Sequence, residues 1–214
     1  PVRTKNRFFQ VPHCNGMGHV YPQTLARMRG IKAEGGWGVV CTEEVEISPL
    51  SEIAPHHEGR LWDERDIPAL RLMTDAVHAH GALAGIELMF NGYATPNRYS
   101  RDIPIAPSHL PVRGSDPIQA RTATKRDIAD VRRWHRNAAL RARDAGFDLV
   151  YVYAGHDLGM PMHFLSRRTN RRSDEYGGSL ENRARLLREL IEDTKEADGD
   201  RCGVVVRLAV DQLL

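Results

Sequence analysis

The sequence predicts an α/β protein built on a parallel sheet, and three observations carry that expectation. Short apolar runs alternate with amphipathic stretches of helical spacing along the chain, which is the pattern of βαβ units. The runs are near-continuous in apolar, β-branched and aromatic residues, as strands covered on both faces are. The most pronounced run, Leu149-Val-Tyr-Val-Tyr-Ala-Gly-His156, ends in a glycine turn with Tyr153 and His156 where the strand stops, the place where α/β folds carry their chemistry. An open doubly wound sheet and part of an eight-fold barrel both fit. Periodicity does not separate them; a complete barrel takes about 250 residues, and this chain of 214 offers about five strands.

The elements follow in order. Phe8-Phe-Gln-Val11 is a first strand, and His13-Cys-Asn-Gly-Met-Gly18 is a loop whose two glycines allow close backbone approach. Pro22 suits the first turn of a helix that carries Leu25, Met28 and Ile31 and stops at Gly35-Gly36. Gly38-Val-Val-Cys-Thr-Glu43 is the second strand, followed by a polar loop with Pro49, Pro55 and His56-His57. Asp66 is the expected cap of a helix with Pro68 near its start, Leu70, Met73 and Val77 on one face, and Gly81 at its end. Ala82-Leu-Ala-Gly-Ile-Glu-Leu-Met89 is the third strand. Residues Asn91 to Thr124, rich in Pro, Gly, Ser and Arg, read as a long loop of the kind that is usually functional or disordered. Lys125 to Ala145 is a helix with Ile128, Val131, Ala138 and Ala142 inward. The Tyr153 strand is the fourth. Ser179 then caps a helix bearing Leu180, Ala184, Leu187 and Ile191, and Cys202-Gly-Val-Val-Val-Arg-Leu208 is the fifth strand.

Composition bounds the partners. A chain with 41% hydrophobic and 27% charged residues is an ordinary globular one. A net charge of +2 gives no argument for nucleic acid or an acidic membrane surface. Cys14, Cys41 and Cys202 are odd in number and scattered, which argues against a disulfide framework and for a reducing, cytoplasmic setting. No stretch approaches the roughly 18 apolar residues of a membrane span. The start at Pro1 has neither a methionine nor a signal-peptide core, and the expectation is a sequence that lacks its true N-terminus.

Several residues could carry chemistry. Cys14, beside His13 in a glycine-containing loop, is either a small buried apolar residue or a thiol that a neighbouring imidazolium turns toward thiolate. Tyr153 and His156, three apart across a turn, can share a proton, or simply pack. Glu43, Glu44 and Glu87 near strand ends are binding or catalytic groups, or carboxylates paired with a basic residue. Alternation sends Glu43 and Glu44 to opposite faces, so one at most enters a given pocket. Arg207, near the end of an apolar strand, either neutralises an anion or closes a salt bridge at a barrel rim. His56-His57 and the pair His78 and His80 do not face one metal from a helix, so no metal site is expected and these side chains are read as solvated. The run Arg167-Arg-Thr-Asn-Arg-Arg172 is followed by Asp174 and Glu175 and reads as a loop pairing with its neighbours, not as a nucleic-acid patch.

Longer stretches add a family resemblance. Phe164-Leu-Ser-Arg-Arg-Thr-Asn-Arg-Arg-Ser-Asp-Glu-Tyr-Gly-Gly-Ser-Leu-Glu-Asn-Arg-Ala-Arg185 resembles the signature of Old Yellow Enzyme-type FMN oxidoreductases, which are (β/α)8 barrels with FMN at the C-terminal mouth. Asn6-Arg-Phe-Phe-Gln-Val-Pro-His-Cys-Asn-Gly-Met-Gly18 resembles the first strand and loop of the trimethylamine/dimethylamine/histamine dehydrogenase subfamily. Lys32-Ala-Glu-Gly-Gly-Trp37 and Asp144-Ala-Gly-Phe-Asp-Leu-Val-Tyr-Val-Tyr153 resemble the same group. The resemblance implies that residues 1–214 are the N-terminal part of an FMN-binding (β/α)8 TIM barrel, about five βα units of it. It implies Cys14 as the attachment site of a 6-S-cysteinyl FMN, with Pro12 as a flavin neighbour. It places Tyr153 and His156 on the substrate side of the flavin, Glu87 at the pyrimidine edge, and Arg207 near N1, where it stabilises charge on the reduced ring.

One position departs from the pattern. Glu44 stands where trimethylamine-type members have an aromatic residue that helps cage a cationic methylamine. Aromatic faces suit fully methylated cations, whereas a carboxylate prefers a cation with N–H to donate. The expectation is therefore an amine dehydrogenase that oxidises a small secondary or primary amine to an imine, hydrolysed to an aldehyde and a smaller amine. Its partners are an electron-acceptor protein or NAD(P), and it is a homo-oligomer when full length. Two alternatives stay open: an NAD(P)H-dependent ene-reductase or dienoyl-CoA reductase-like flavoenzyme with Cys14 a non-covalent neighbour, and a truncated half-barrel without catalysis. Members of the subfamily continue through strands six to eight, which supply an acidic active-site residue and the FMN phosphate site. They then carry a four-cysteine [4Fe-4S] centre and a nucleotide-binding domain, all expected only outside this sequence.

Overall fold

The computed structural model describes residues 2–52, 58–115 and 117–210. Along the chain lie β1 (Phe9–Gln10), α1 (Pro22–Glu34), β2 (Val39–Glu46), β3 (Gly59–Arg60), α2 (Ile67–His78), β4 (Leu83–Met89), β5 (Ile105–Ala106), β6 (Leu110–Pro111), β7 (Gln119–Thr122) and α3 (Lys125–Asp144). They are followed by β8 (Leu149–Ala154), α4 (Met160–Leu165), α5 (Leu180–Arg183), α6 (Arg185–Asp198) and β9 (Gly203–Leu208). The main sheet runs β1-β2-β4-β8-β9 with every neighbouring pair parallel, and β3 adds to the end of β2. Spatial order that follows chain order is the winding of a barrel; a doubly wound sheet reverses at a switch point. The sheet curls so far that Arg207 on β9 donates to the Pro12 carbonyl just past β1, 3.4 Å away. The chain is a curled parallel half-barrel, and all five sequence-predicted strands are present.

The curl gives the central strands β2, β4 and β8 two covered faces, while β1 and β9 at the ends of the sheet stay partly exposed. Outward residues Val40, Val45, Ile86, Leu88, Val150 and Val152 pack into a core with Leu25, Met73, Val77, Ile128, Val131 and Leu190 from the helices. Inward, Val39, Cys41, Leu149 and Tyr151 form a second, smaller cluster with Leu83 and Val205. Gly85 is required there, because a Cβ would lie 2.7 Å from Cys41 Sγ and 3.4 Å from the Tyr151 ring. Burial on both sides is why the strands read as unbroken apolar runs.

A bulge in β2 decides which acids face the barrel. Cys41 pairs with Gly85 and Glu44 with Glu87, so three steps along β2 match two along β4. The extra residue flips the alternation. Glu44 follows Val39 and Cys41 onto the inner side, whereas Val45 joins the outer core. Glu43 instead turns to the loop after β1, where it accepts from the backbone N–H groups of Asn15 (2.9 Å), Gly16 (3.0 Å) and Gly18. Gly18 has no alternative, since a Cβ would collide with Glu43 Oε1. Arg29, fully buried on α1, grips the same loop by donating to His13 O (2.6 Å) and to Gln10 Oε1 (3.1 Å).

Several local expectations change. The buried face of α1 is Leu25, Ala26, Arg29, Gly30 and Ala33, and Ile31 is 58% exposed because Arg29 takes the inward turn. Asp66 does not cap α2. Asp63 caps a preceding 3-10 turn by accepting from Arg65 N, and Asp66 closes the capping box by accepting from Asp63 N and pairs with Arg60 at 2.7 Å. Ser179 does cap its helix, accepting from Asn182 N, but the helix breaks after Arg183 and Leu180 is 65% exposed. The segment from Asn91 to Thr124 is not structureless. It folds into the small sheet β5-β7-β6 over Tyr93, Ala106, Val112 and Ala120. The arginine run clasps this excursion: Arg172 pairs with Asp174 at 2.5 Å and donates to Pro107 O (3.2 Å) and Ala123 O (2.6 Å). His78 is not simply solvated but bonds Asp148 at 2.8 Å. Pro55 and His56-His57 lie outside the described residues. Among the described residues no helix is long and apolar enough to cross a membrane.

Two stability predictions follow from buried carboxylates. Asp198, 2% exposed at the end of α6, has no partner for either carboxylate oxygen, and burial pushes its carboxyl up to about 6 against the pull of Arg143. A folded-state pKa above the unfolded one means stability is present at low pH and lost as pH rises through about 6. Asp198→Asn should therefore stabilise the chain by on the order of 1 kcal/mol at pH 8 and leave it unchanged near pH 4, read from urea unfolding midpoints at both pH values. Glu43→Ala strands three backbone N–H groups and should cost about 2 kcal/mol or more. Amide hydrogen exchange at Asn15, Gly16 and Gly18 should accelerate selectively; unchanged protection there would refute the role given to Glu43.

Candidate active site at the strand ends

The C-terminal ends of the parallel strands open on one mouth, and the structure gathers there Pro12, Cys14, Glu44, Glu87, Tyr153, His156 and Arg207, every site residue expected from the sequence. Arg207 is the hub. Its Nη1 donates to both oxygens of Glu87 at 3.1 Å and to Pro12 O. Its Nη2 lies 3.4 Å from His156 Nε2, and its guanidinium carbon sits 5.5 Å over the Tyr153 ring. In register Tyr151 faces Glu87 and Tyr153 faces Arg207, so Arg207 reaches across β8 to its partner on β4. The rim salt bridge weighed for Arg207 and the paired carboxylate weighed for Glu87 are one interaction. Glu87 is fully buried, and burial pushes its carboxyl up to about 7 even though Arg207 pulls it down. Burial opposes the Arg207 charge, but Glu87 outweighs it and the guanidinium is held above its ordinary value.

Tyr153 Oη and His156 Nδ1 are 2.5 Å apart. Burial, then Arg207, holds the imidazole below its usual value, and burial together with Glu44 and Glu87 lifts the phenol above its own. At neutral pH both are uncharged, so the phenol donates and the imidazole accepts. His156 and Asp157 carry φ values of 54° and 57°, a left-handed pair without glycine, and such strain persists where surrounding contacts fix it. Here Asp157 bonds Arg113 at 3.1 Å, and the Asp157 carbonyl meets buried His163 Nε2 at 3.2 Å. A cleft of about 870 Å³ opens beside this turn, walled by Tyr93, Arg113, His156, Arg168, Thr169 and Arg207.

On the other side of the mouth stand Cys14, Glu44 and Glu58. Glu44 is 5% exposed, and its Oε2 has no hydrogen-bond partner. Burial, then Glu58 and Glu87, pushes its carboxyl up to about 8. The exposed Cys14 thiol bonds Glu58, and burial of the sulfur together with the two carboxylates pushes its pKa up. His13 is not among the groups acting on it, so of the two readings of Cys14 the drift toward thiolate finds no support here. Glu58 and Glu46 were not visible as site residues. Glu46 reaches the inner side only through the bulge, and Glu58 arrives with β3 from a loop with no apolar pattern. Buried Asn91, with neither amide atom partnered, and His163 were also missed.

The chain has clear relatives. Residues 1–214 match the NADH:flavin oxidoreductase / NADH oxidase family. The chain is 44% identical over 215 residues to a dimethylamine dehydrogenase of Hyphomicrobium sp. (strain x), covering 98% of this chain and 29% of that protein. It is 36% identical over 185 residues to an NADPH dehydrogenase of Listeria monocytogenes serotype 4a (strain HCC23), covering 83% and 50% respectively. The structure of histamine dehydrogenase from Rhizobium sp. 4-9 superposes with a TM-score of 0.95 at 54% identity, over 100% of this chain and 32% of that one. The chain thus spans half or less of the length of these relatives. With a family match along its whole length and a half-barrel that superposes on a relative of high identity, the chain belongs to the NADH:flavin oxidoreductase / NADH oxidase family.

Proposed function

We propose that residues 1–214 are the flavin-facing part of an FMN-dependent amine dehydrogenase. It oxidises a small secondary or primary amine to an imine, which water converts to an aldehyde and a smaller amine. The observation that carries this reading is the Tyr153–His156 hydrogen bond set in one mouth with Glu44, a buried carboxylate whose Oε2 lacks a partner. An N–H-bearing cation supplies the donor that Glu44 lacks, and a neutral phenol–imidazole pair can hold or pass a proton beside it. Identity to the dimethylamine and histamine dehydrogenases, 44% and 54%, exceeds the 36% to the NADPH dehydrogenase and favours the amine reading.

The residues fit a flavin edge by the chemistry of their polar groups. The Pro12 carbonyl accepts, the Glu87 carboxyl titrates near neutrality, and Arg207 is part-exposed with N–H groups left to donate. An edge that presents both an N–H and carbonyl oxygens finds partners of each kind. Bound flavin supplies the two-electron acceptor, and an acceptor protein or NAD(P) completes turnover. Arg207 contributes a fixed positive charge, Glu44 orients the amine, Tyr153 and His156 handle the proton, and Cys14 is the attachment residue.

Two measurements on the holoenzyme test this. Acid denaturation should leave the yellow colour on the polypeptide, and Cys14→Ala should release it; colour released from the unsubstituted protein would refute attachment. Glu44 ionises as pH rises through about 8, so kcat/KM for a cationic amine should climb over that interval until the amine loses its own proton. Glu44→Gln should flatten that climb and reduce the preference for dimethylated over trimethylated amine. A holoenzyme that prefers the trimethylated substrate overturns the assignment of Glu44.

A further inference from the structure

The turn that carries His156 is held in a form its own residues do not favour. Leu158 N–H donates to Gly155 O at 2.8 Å, and the two residues between them, His156 and Asp157, have φ values of 54° and 57°. A tight turn with both central residues left-handed is ordinarily filled by Asn-Gly or Gly-Gly. Histidine and aspartate carry a Cβ, so their local preference is for negative φ. Two contacts oppose that preference. Arg113 bonds the Asp157 carboxylate at 3.1 Å, but both side chains meet solvent and the pair is screened. His163 on α4 is fully buried and its Nε2 lies 3.2 Å from Asp157 O.

A carbonyl only accepts, so Nε2 carries the proton. Nδ1 has no partner, and burial holds the ring down at about 4, so His163 stays neutral and gives its one N–H to the turn. Its own place is fixed. Its backbone N donates to Gly159 O at 3.3 Å, Thr169 Oγ1 donates to its carbonyl at 2.5 Å, and the Tyr93 ring meets it edge-on at 4.4 Å. A Cβ on Gly159, just before α4, would come within 3.1 Å of the Tyr153 ring, so the start of the helix is packed directly on the tyrosine.

We propose that His163 is a positioning residue for the Tyr153–His156 pair: by holding the Asp157 carbonyl it keeps the turn left-handed and the imidazole on the phenol. The proposal rests on the reading that this pair handles the substrate's proton. His163 itself touches no reacting atom. Without its bond the turn relaxes and His156 Nδ1 leaves Tyr153 Oη. The burial and the Arg207 charge that hold the imidazole below its usual value then act on it less.

The test uses the full-length holoenzyme. His163→Phe keeps a ring against Tyr93 and removes the donor. It should lower kcat about a hundredfold, the effect of displacing a reacting group by roughly 1 Å, with flavin content unchanged. The acid limb of kcat against pH should move up, because a freed imidazole protonates more readily. Amide exchange at Leu158 should accelerate. His163→Gln, whose amide can still donate, should retain most of the activity. Adding Asp157→Gly to His163→Phe should recover most of the loss, since glycine takes positive φ without steric cost; a histidine needed only for packing would not be rescued there. Where phenylalanine is not accommodated, His163→Leu is read in its place. Unchanged kcat and Leu158 exchange in His163→Phe, or no recovery in the folded double variant, would overturn the proposal. A holoenzyme that oxidises no amine defeats the amine reading alone, and Leu158 exchange then still decides the role of His163.

Discussion

The mouth of this half-barrel depends on one ion pair, Arg207 with Glu87. Glu87 has no solvent exposure, and removing one partner of a buried charge pair typically costs about 3–5 kcal/mol because the other charge is left uncompensated. The pair does more than neutralise. Reaching across β8, Arg207 covers the face of Tyr153, touches His156 and ties the end of β9 to the Pro12 carbonyl beyond β1. The first and last strands of the sheet are thus fastened through one guanidinium, whose planar fork serves several acceptors at once where an ammonium could not. The same guanidinium meets both the loop after the first strand and the Tyr153–His156 pair on the fourth.

The second constraint is the bulge in β2, which sorts a run of acids. Without it Glu43 would continue the inner face of Val39 and Cys41, and Glu44 would enter the apolar outer core. With it Glu43 becomes the anchor of the Cys14 loop, accepting three backbone N–H groups, and Glu44 faces Glu87 across the strand pair. The anchored loop holds Cys14 against Glu44 and Glu58. Bulges re-aim side chains next to active sites, and here a single extra residue creates both the rigidity of the loop and the surplus of carboxylate on one side of the mouth.

What the sequence discloses follows from these two constraints. Strands buried on both faces announce themselves as apolar runs, and parallel strands put their C-terminal ends together. Strand ends alone bring Tyr153 and His156 forward; it is the family resemblance that groups Pro12, Cys14, Glu87 and Arg207 with them, and Glu44 as a departure from its pattern. A one-residue insertion in β2 leaves no compositional trace, so strand alternation alone does not decide which of Glu43 and Glu44 points inward and gives no sign that Glu46 shares that side. Arg29 hides the true face of α1 because a fully buried arginine breaks the apolar stripe. Asp63 and Asp66 stand three apart and both suit a cap; only the hydrogen bonds show that they act together. The excursion after β4 reads as loop because its strands are two to four residues long and lie among prolines and glycines.

The electrostatics of Cys14 gives the site an internal order. Burial of the sulfur, the hydrogen bond to Glu58 and the neighbouring Glu44 hold the Cys14 thiol in its protonated form. Sequence neighbours suggested the opposite, because His13 is adjacent in the chain while Glu44 and Glu58 are adjacent only in space. Positive charge entering this cluster reverses the balance: it lowers the cost of ionising Glu44 and Glu58 and, by the same Coulombic argument, the cost of ionising the sulfur. The state of the thiol is therefore set by its neighbours in space rather than by His13 beside it in the chain.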